Sequence, residues 1–475
     1  MSHSSRREFL KTAAIGAIAF SSALPVWAAP GSVRRSSTYR DKRYAAAAPL
    51  AWKPNDEVAA DAIILDPKAT RQQMLGFGAA MTDASCWVLG QMKADERAAL
   101  LHEFFAPTEM AFNVCRTCIG ASDYSRNVYS FDESPQPDPE LKNFSIDHDK
   151  GYILPALRDA RSLNPELFLF SSPWSPPGWM KSGGSMLGGA MRKPSFPYYA
   201  QYFRRFLEGY AAEGVKINAV TVQNEVDTDQ DGRMPACLWG QEYEVEFVGK
   251  HLGPTLRKAA LDTKIWVIDH NYNLWGRAIG ELSVPETAEF IDGIAWHGYV
   301  GEDSAMSRVH EAFPEKNAYW TEGGPDLTAP DYQTDFTNWA GAFNGILNNW
   351  ARSLTAWNVA LDEKGNPNIG PFPCGGVITI DNATKAITRS GQYWAFAHYS
   401  KHVRRGAKVF ATNGVGEPAG KGTAAISHTG FRNPDGSFVV VLANPGPERR
   451  VQLLHGTSAL EIDLPAASVH TLQWS

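Results

Sequence analysis

The sequence is poor in cysteine, carries no excess of positive charge and has a long apolar run only near its start. Five cysteines in 475 residues are an odd number, so they do not suggest a disulfide framework. The formal net charge is −6, and no basic stripe follows residue 58, so a nucleic-acid partner is not expected. After residue 30 no stretch approaches the ~20 apolar residues of a membrane-spanning helix.

Motifs that commonly mark bound metals and nucleotides are also missing. The sequence contains no H-E-x-x-H motif, no P-loop and no G-x-G-x-x-G fingerprint. Cys115 and Cys118 form a C-x-x-C pair, but they fall in a predicted strand, where residues three apart point to opposite faces. We therefore expect neither a metal ion nor an organic cofactor.

The N-terminus has the pattern of an export signal. Arg6 and Arg7 form a twin-arginine motif, the apolar run 13–26 follows, and Ala28-Ala29 offers a cleavage site. We therefore predict a signal peptide at residues 1–30 and a periplasmic or secreted mature protein. Residues 31–58 are rich in Ser, Arg and Ala with little periodicity, which predicts a flexible linker.

From residue 73 the chain alternates short apolar strands with longer helical patterns. Eight strands are predicted, at residues 74–78, 113–119, 167–171, 219–223, 264–268, 291–296, 318–321 and 353–358. Helical patterns lie between them, at residues 94–105, 153–162, 197–213, 242–260 and 339–349. Eight such units predict a (β/α)₈ TIM barrel of the α/β class over residues 73–371. A doubly wound open sheet is the alternative fold.

From residue 372 the alternation of strands and helices gives way to short predicted strands separated by turns. Short β-branched runs such as 438–443 and 468–474 are separated by turn signals at Asn433-Pro-Asp-Gly436 and Asn444-Pro-Gly446. These features predict an all-β side module over residues 372–475. A short strand at Ala62–Leu65, within the segment 59–72, has no helix partner and is expected to join that module.

Two glutamates stand at the ends of predicted strands. Glu225 ends the fourth strand in Ala-Val-Thr-Val-Gln-Asn-Glu, and Glu322 ends the seventh in Ala-Tyr-Trp-Thr-Glu. A carboxylate is costly to place at the mouth of a buried strand. A pair of carboxylates is the machinery of glycoside hydrolysis, in which one acts as acid and the other as nucleophile or base.

Further polar and aromatic groups follow the other predicted strands. Because active sites of such barrels lie at the C-terminal ends of the strands, these side chains are expected on one face. Their types suit a sugar-binding cleft, since indole and phenol rings offer flat apolar faces with a polar handle. The candidates are Asp123, Trp174, Asn224, His297, Tyr299 and Trp357.

Several longer motifs resemble glycoside hydrolase family 30. Gly76-Phe-Gly-Ala-Ala-Met-Thr-Asp-Ala84 is similar to the first barrel strand of that family. Ser172-Pro-Trp-Ser-Pro-Pro-Gly-Trp-Met-Lys181, Gln223-Asn-Glu225 and the stretch 247–256 also match. The resemblance covers residues 62–475 and is strongest to the glucosylceramidase-like branch. It implies an exported retaining β-glycosidase that hydrolyses β-glucosyl bonds of a carbohydrate or glycoconjugate without a cofactor.

The resemblance also implies a role for each candidate. Glu225 corresponds to the general acid/base and Glu322 to the nucleophile, with Arg116 as a supporting cation near it. Asn224 is implied to bind the sugar 2-hydroxyl, and Asp123, Trp174 and Trp357 the sugar itself. His297 and Tyr299 match the pair on the sixth strand, with Tyr299 expected to hydrogen-bond Glu322. The acid must be protonated near neutral pH, which predicts a raised pKa for Glu225.

Two loops depart from the glucosylceramidase pattern and leave the leaving group open. They are Gly323-Gly-Pro325 after the seventh strand and residues 362–374 after the eighth. A β-1,6-glucanase, a β-xylosidase or xylanase and a β-fucosidase are the alternative enzymes. A carbohydrate-binding protein without catalysis is the alternative from another class. The acidic loop 227–233 after the fourth strand is interpreted as a solvated loop.

Overall fold

The computed structural model describes residues 31–414 and 425–475. The predicted export segment at residues 1–30 lies outside these described residues. Within the described parts of the chain, none of the helices has both the length and the apolar character needed to cross a membrane.

A closed barrel of eight parallel strands forms the centre of the molecule. Four strands precede it along the chain: β1 (Val33–Tyr39), β2 (Lys42–Leu50), β3 (Lys53–Pro54) and β4 (Ile63–Gln73). The barrel strands are β5 (Gly76–Ala80), β6 (Val114–Cys118), β7 (Phe168–Ser172), β8 (Ala219–Thr221), β9 (Lys264–Asn271), β10 (Ile291–His297), β11 (Asn317–Glu322) and β12 (Ala351–Asn358). They pair in sequence order, and β12 closes the ring onto β5. The predicted TIM barrel is confirmed.

Helices follow most of the barrel strands and cover the barrel. They are α1 (Asp83–Gly90), α2 (Ala94–Phe105), α3 (Asp147–Lys150), α4 (Ile153–Leu163), α5 (Phe196–Ala212), α6 (Gln241–Glu246), α7 (Gly253–Lys258), α8 (Trp275–Leu282), α9 (Pro285–Ala288), α10 (Ser304–Ala312), α11 (Phe336–Asn348) and α12 (Gly391–Ser400). A π-helical segment, Phe247–Leu252, joins α6 to α7. Short 3₁₀ turns lie at Gly178–Met180, Lys193–Ser195, Gln230–Gly232 and Tyr272–Leu274.

The barrel interior is filled below the site by a layer of apolar side chains. Phe170, Trp266 and Tyr319 belong to this layer, and the rings of Trp266 and Tyr319 stack with centroids 3.9 Å apart. Strand side chains alternate between the interior and the helices, so the next inward position lies two residues further along each strand. That next layer is polar, and it forms the floor of the functional site.

The segment after the last barrel strand belongs to the barrel, contrary to the predicted boundary at residue 372. Strands β13 (Ala360–Asp362), β14 (Ile378–Ile380) and β15 (Ile387–Arg389) form a small sheet beside α1. Helix α12 then packs against α11 and β5. The β-branched residues at 376–380 suggested the start of a new module, but Ile378–Ile380 belong to the small sheet that packs beside the barrel.

The side module is one sheet of ten strands in the described residues, and it includes β1 to β4. Its later strands are β16 (Lys408–Asn413), β17 (Ser427–Arg432), β18 (Phe438–Asn444), β19 (Arg449–His455), β20 (Ser458–Leu464) and β21 (Ser468–Trp474). The order is β2-β1-β21-β18-β17-β16-β4-β19-β20-β3. Residues from both halves of this order share one apolar core, so the sheet folds back on itself. Strand β4 joins the module as predicted.

The prediction of a flexible linker at residues 31–58 is wrong. Strand β1 pairs antiparallel with β21 and β2, and two of its polar side chains, Ser37 and Thr38, are buried against histidines. Ser37 Oγ lies 2.8 Å from His470 Nδ1, and Thr38 Oγ1 lies 2.8 Å from His398 Nε2. Composition alone favoured a linker because the partners of this segment are several hundred residues away in sequence.

Candidate active site

A cavity of about 560 Å³ opens at the C-terminal end of the barrel strands. Seven of the predicted site residues line it: Asp123, Trp174, Asn224, Glu225, Tyr299, Glu322 and Trp357. Arg116 and His297 are fully buried beneath them and contact the glutamates from below. The structure therefore brings all nine predicted residues together.

Glu322, the predicted nucleophile, is the last residue of β11 and is held by two donors. The guanidinium of Arg116 donates from Nη1 to Glu322 Oε2 at short range, in an ion pair that excludes solvent on the arginine side. Tyr299 donates its hydroxyl to Glu322 Oε1 over 3.1 Å, as the sequence predicted. A permanent cation beside a carboxylate favours the ionised form that a nucleophile requires.

Arg116 connects Glu322 to the polar layer of the barrel. Its Nη2 donates to Asn224 Oδ1 over 2.8 Å and to Asp269 Oδ2 over 2.7 Å, and its Nε donates to Ser172 Oγ over 3.0 Å. Every donor group of the guanidinium fork is thereby aimed at a polar atom of the site. The fork fixes the positions of Asn224 and Glu322 relative to each other.

Asp269 is the centre of the polar layer, and the sequence reasoning missed it. The inward residues of neighbouring strands converge on its carboxylate, with contacts of 2.7 to 3.1 Å from Arg116, Ser172, Thr221, His297 and Thr321. Burial opposes ionisation of Asp269, but Arg116 and His297 outweigh it and hold its pKa far below the usual value. The buried carboxylate thus balances the buried cations of the site.

A β-bulge in β9 explains how Asp269 and its neighbour both reach the site. The register with β10 runs from Ala295 opposite Ile268 to Trp296 opposite His270, which leaves Asp269 unpaired in the ladder. Ile268 and Asp269 have φ values of 73° and 44°, consistent with the local distortion that a bulge produces. In a regular strand, Asp269 and His270 would point to opposite faces.

Glu225, the predicted acid/base, follows β8 with φ +55°, a left-handed conformation that is uncommon for a residue with a side chain. Its backbone N–H donates to Asp269 O over 3.0 Å. Oε1 lies 3.5 Å from both His270 Nε2 and His297 Nδ1, and Oε2 accepts a 2.8 Å hydrogen bond from Gln230 Nε2. The backbone strain thus occurs at a residue that is held on both carboxylate oxygens.

The acidic loop 227–233 is only partly a solvated loop. Asp231 is exposed, in agreement with the prediction, but Gln230 turns inward to Glu225. Asp227 Oδ1 lies 2.5 Å from His270 Nδ1. The sequence signal that could have found these contacts is the polar run Asp269-His270-Asn271, which directly follows a predicted strand.

The pKa of Glu225 is lowered, whereas the sequence predicted a raised pKa. Burial acts in the expected direction, but the contacts with His270 and His297 outweigh it and hold the pKa of Glu225 well below its usual value. Burial lowers the pKa of His270, yet Asp227 and Glu225 overcome this and raise it to about 10. In the unliganded site the proton therefore lies on imidazole rather than on Glu225.

Aromatic and acidic groups form the other wall of the cavity. Trp174 and Trp357 stack with ring centroids 4.9 Å apart, and the Arg116 guanidinium lies 4.6 Å from the Trp174 ring centroid. Asp123 is buried, and its Oδ1 has no hydrogen-bond partner among the described residues. Such a buried, unpaired acceptor at a cavity wall is suited to receive hydroxyl groups of a ligand.

Three of these groups could also be considered as metal ligands. Glu225, His297 and Glu322 each place one ligand atom within 4.8 Å of the others. Oε2 of Glu322 already accepts from Arg116, and His297 Nε2 contacts Asp269. A buried arginine at this position repels a divalent cation, and we do not identify these residues as metal ligands.

Family models match nearly all of the described chain. The model for the Glycosyl hydrolase family 30 TIM-barrel domain matches residues 74–403, and the one for the Glycosyl hydrolase family 30 beta sandwich domain matches residues 406–472. The chain belongs to glycoside hydrolase family 30. The resemblance found in the sequence is confirmed, and this family 30 protein is a glycoside hydrolase acting on carbohydrate.

The chain is similar in sequence to endo-1,6-β-glucanases and to glucosylceramidases. The chain is 33% identical over 396 residues to an endo-1,6-β-D-glucanase of Neurospora crassa, covering 80% of each chain. It is 27% identical over 436 residues to the lysosomal acid glucosylceramidase of Mus musculus, covering 87% of this chain and 83% of the other. A solved structure of the endo-β1,6-glucanase BT3312 superposes with a TM-score of 0.83 at 29% identity, covering 94% of this family 30 chain and 99% of the other.

Proposed function

We propose that this family 30 hydrolase is a retaining β-glucosidase that cleaves β-1,6-linked glucan. The similarity to two endo-1,6-β-glucanases in sequence and in structure supports the linkage. This differs from the glucosylceramidase-like reading of the sequence, in which the β-1,6-glucanase was an alternative. Glucosylceramide is the second candidate substrate, supported by the 27% identity to a glucosylceramidase.

The two candidate substrates share the chemistry of the bond that is cut. In a 1,6-linked glucan the β-glucosyl group is attached to the C6 oxygen of the next sugar, and in glucosylceramide to the C1 oxygen of ceramide. Both leaving groups are therefore primary alcohols, which are poor leaving groups and need protonation as the bond breaks. Both loops that depart from the glucosylceramidase pattern line the cavity, through Gly324, Pro325 and Cys374 among others. We infer that these loops distinguish a sugar from a lipid.

The observation that carries the mechanism is the spacing of Glu225 and Glu322. One oxygen of each carboxylate lies within 4.8 Å of the other, which supports a retaining glycosidase, with carboxyl groups about 5–5.5 Å apart, over an inverting one at about 6.5–9.5 Å. In the first step Glu322 attacks the anomeric carbon while Glu225 gives a proton to the departing alcohol. In the second, Glu225 takes a proton from water, water attacks the anomeric carbon, and the ester bond to Glu322 breaks.

The remaining groups hold the sugar for this reaction. Asn224 is oriented by Arg116 and is proposed to bind the sugar 2-hydroxyl, a contact that strengthens in the transition state. The Trp174 and Trp357 pair provides an apolar wall, and Asp123 provides a buried acceptor for other hydroxyls of the same sugar.

A substrate screen with product analysis tests the proposed function. The purified protein should release glucose or oligosaccharides from 1,6-β-glucan, with weaker or no release from 1,3-β-glucan, aryl β-xylosides and aryl β-fucosides. Proton NMR of early product should show the β-anomer. Hydrolysis of glucosylceramide without activity on 1,6-β-glucan would favour the second candidate. Sugar binding without hydrolysis of any substrate would contradict an active enzyme.

We propose further that the enzyme is exported. The support is the order of twin arginine, apolar run and small-residue cleavage site at residues 1–30. Fractionation of expressing cells should recover the shortened protein outside the cytoplasm, and a full-length protein confined to the cytoplasm would contradict export.

A further inference from the structure

His270 occupies an unusual place between two carboxylates of different exposure. On one side Nε2 lies 3.5 Å from Oε1 of Glu225, and on the other Nδ1 lies 2.5 Å from Oδ1 of Asp227. His270 itself is buried and lines the cavity, while the Asp227 side chain is 38% exposed. The three side chains therefore form a row from the cavity, through a buried imidazole, to solvent.

We propose that Asp227 and His270 form a proton relay for Glu225, supplying the proton that Glu225 gives to the leaving group and removing it in the second step. This inference rests on the proposed function, in which Glu225 is the acid/base. Asp227 approaches Nδ1 to 2.5 Å as a charge partner and so favours the protonated imidazole. Asp227 is partly exposed and does not line the cavity, so the row reaches solvent outside it.

Every proton of the cycle is accounted for. In the first step the proton on His270 Nε2 moves to Glu225 Oε1 and from there to the glycosidic oxygen as the bond from that oxygen to the anomeric carbon breaks, which leaves Glu225 ionised and His270 neutral. In the second step water gives a proton to Glu225 as its oxygen bonds to the anomeric carbon and the ester to Glu322 breaks. The excess proton then returns to His270.

The charged groups around His270 determine the pH at which the relay works. Asp227 and Glu225 contact it directly, the His297 ring lies 5.7 Å away between centroids, and Arg277 acts on Asp227 from α8. The two carboxylates raise the pKa of His270 to about 10. Below this pKa His270 carries the proton that the relay supplies. As the pH rises through the pKa, His270 loses that proton and the relay stops working.

The bulge in β9 and the position of Gln230 distinguish this arrangement from a merely structural ion pair. The bulge is needed to point His270 toward Glu225 while Asp269 faces the barrel interior. Gln230 holds Oε2 of Glu225, which leaves Oε1 facing the imidazoles. A histidine that only fixed the loop would not need its second nitrogen in the cavity.

The first test uses leaving groups of different acidity. His270→Gln should lower kcat/KM for phenyl β-glucoside by about 10- to 100-fold and change it little for 2,4-dinitrophenyl β-glucoside, whose leaving group needs no proton. The alkaline limb of the phenyl glucoside profile should move at least about one pH unit lower. Asp227→Asn should produce a smaller shift of the same sign, and its partly exposed position makes it the safer variant for folding. The exposed His102 provides the control His102→Gln, with an unchanged profile.

The second test does not depend on turnover. In protein labelled with ¹⁵N-histidine, the resonance lost in His270→Gln identifies His270, and its titration should move to lower pH in Glu225→Gln and in Asp227→Asn. An unmoved titration in both variants would overturn the relay. Equal losses on both glucosides with an unchanged alkaline limb would also overturn it. Wild-type protein inactive on every glucoside would contradict the proposed function instead, while the titration would still decide whether the three groups are coupled.

Discussion

The two glutamates of the site lie close together but in opposite kinds of surroundings. Glu322 is held by Arg116, whose charge is permanent, and by the hydroxyl of Tyr299. Glu225 faces two imidazoles, His270 and His297, whose charge changes with pH. The difference shows how one barrel edge can pair one carboxylate with a permanent cation and leave the other free to exchange a proton with groups whose charge changes.

The same difference extends into the backbone that carries each residue. Glu322 is the last residue of strand β11, where the pairing with β10 also shifts register but no residue of the strand has a positive φ. Glu225 has a left-handed conformation and is tied through its N–H to the bulged strand β9. The acid/base side of the site is thus built from irregular backbone, where small changes in geometry have large consequences for proton transfer.

The largest effect is expected from removing each carboxylate in turn. Glu322→Ala should lower kcat by at least about 10⁴-fold for every glucoside, because no substitute nucleophile remains. Azide should restore turnover through a glucosyl azide of inverted, α configuration. Glu225→Ala should instead retain activity on 2,4-dinitrophenyl β-glucoside. Near-normal activity of Glu322→Ala would contradict its assignment.

The permanent cation is tested by Arg116→Lys. The charge remains, but the fork that contacts Glu322, Asn224 and Asp269 is lost, so kcat/KM should fall by about 100-fold through misplacement of these groups. The exposed pair of Arg257 and Glu289 provides the control Arg257→Lys, with activity and melting temperature unchanged. Wild-type kinetics in Arg116→Lys would show that charge alone is sufficient.

The smallest expected effect comes from Gln230→Ala. This change removes the hydrogen bond to Glu225 Oε2 and leaves both imidazoles in place, so kcat/KM for phenyl β-glucoside should fall by roughly tenfold. The pH profile should keep its alkaline limb, in contrast to the His270 variant. Gln201→Ala, on helix α5, is the matched control. A shift of the alkaline limb in Gln230→Ala would contradict the proposal that Gln230 only positions Glu225 while His270 supplies its proton.

The sequence predicted the barrel well because barrel strands have a local signature. Runs such as those of β6 and β10 are buried on both faces and therefore read as continuous apolar or β-branched segments. Helix α2 begins and ends at the residues that its pattern predicted. Strand β1 had no such signature, since its buried polar side chains, Ser37 and Thr38, are satisfied by His470 and His398 from distant elements.

The candidate site was predictable where a side chain follows directly from a strand end. Glu322, Asn224 and Trp174 were found in this way, and all of them line the cavity. Asp269 and His270 also directly follow a predicted strand, but regular alternation would send only one of these two side chains into the site. A bulge overrides that rule, and no local pattern in Val267-Ile268-Asp269-His270 announces it.

The sequence by itself determined the eight strand–helix units, the family and the identity of the two glutamates. These features depend on periodicity and on short motifs, which are properties of neighbouring residues. The tertiary structure decided that Arg116 meets Glu322, that His270 stands between Asp227 and Glu225, and that strand β1 pairs with β21 in the side module. Such contacts join residues far apart in sequence, and their charges act over a few ångströms, so only the folded chain brings them within range.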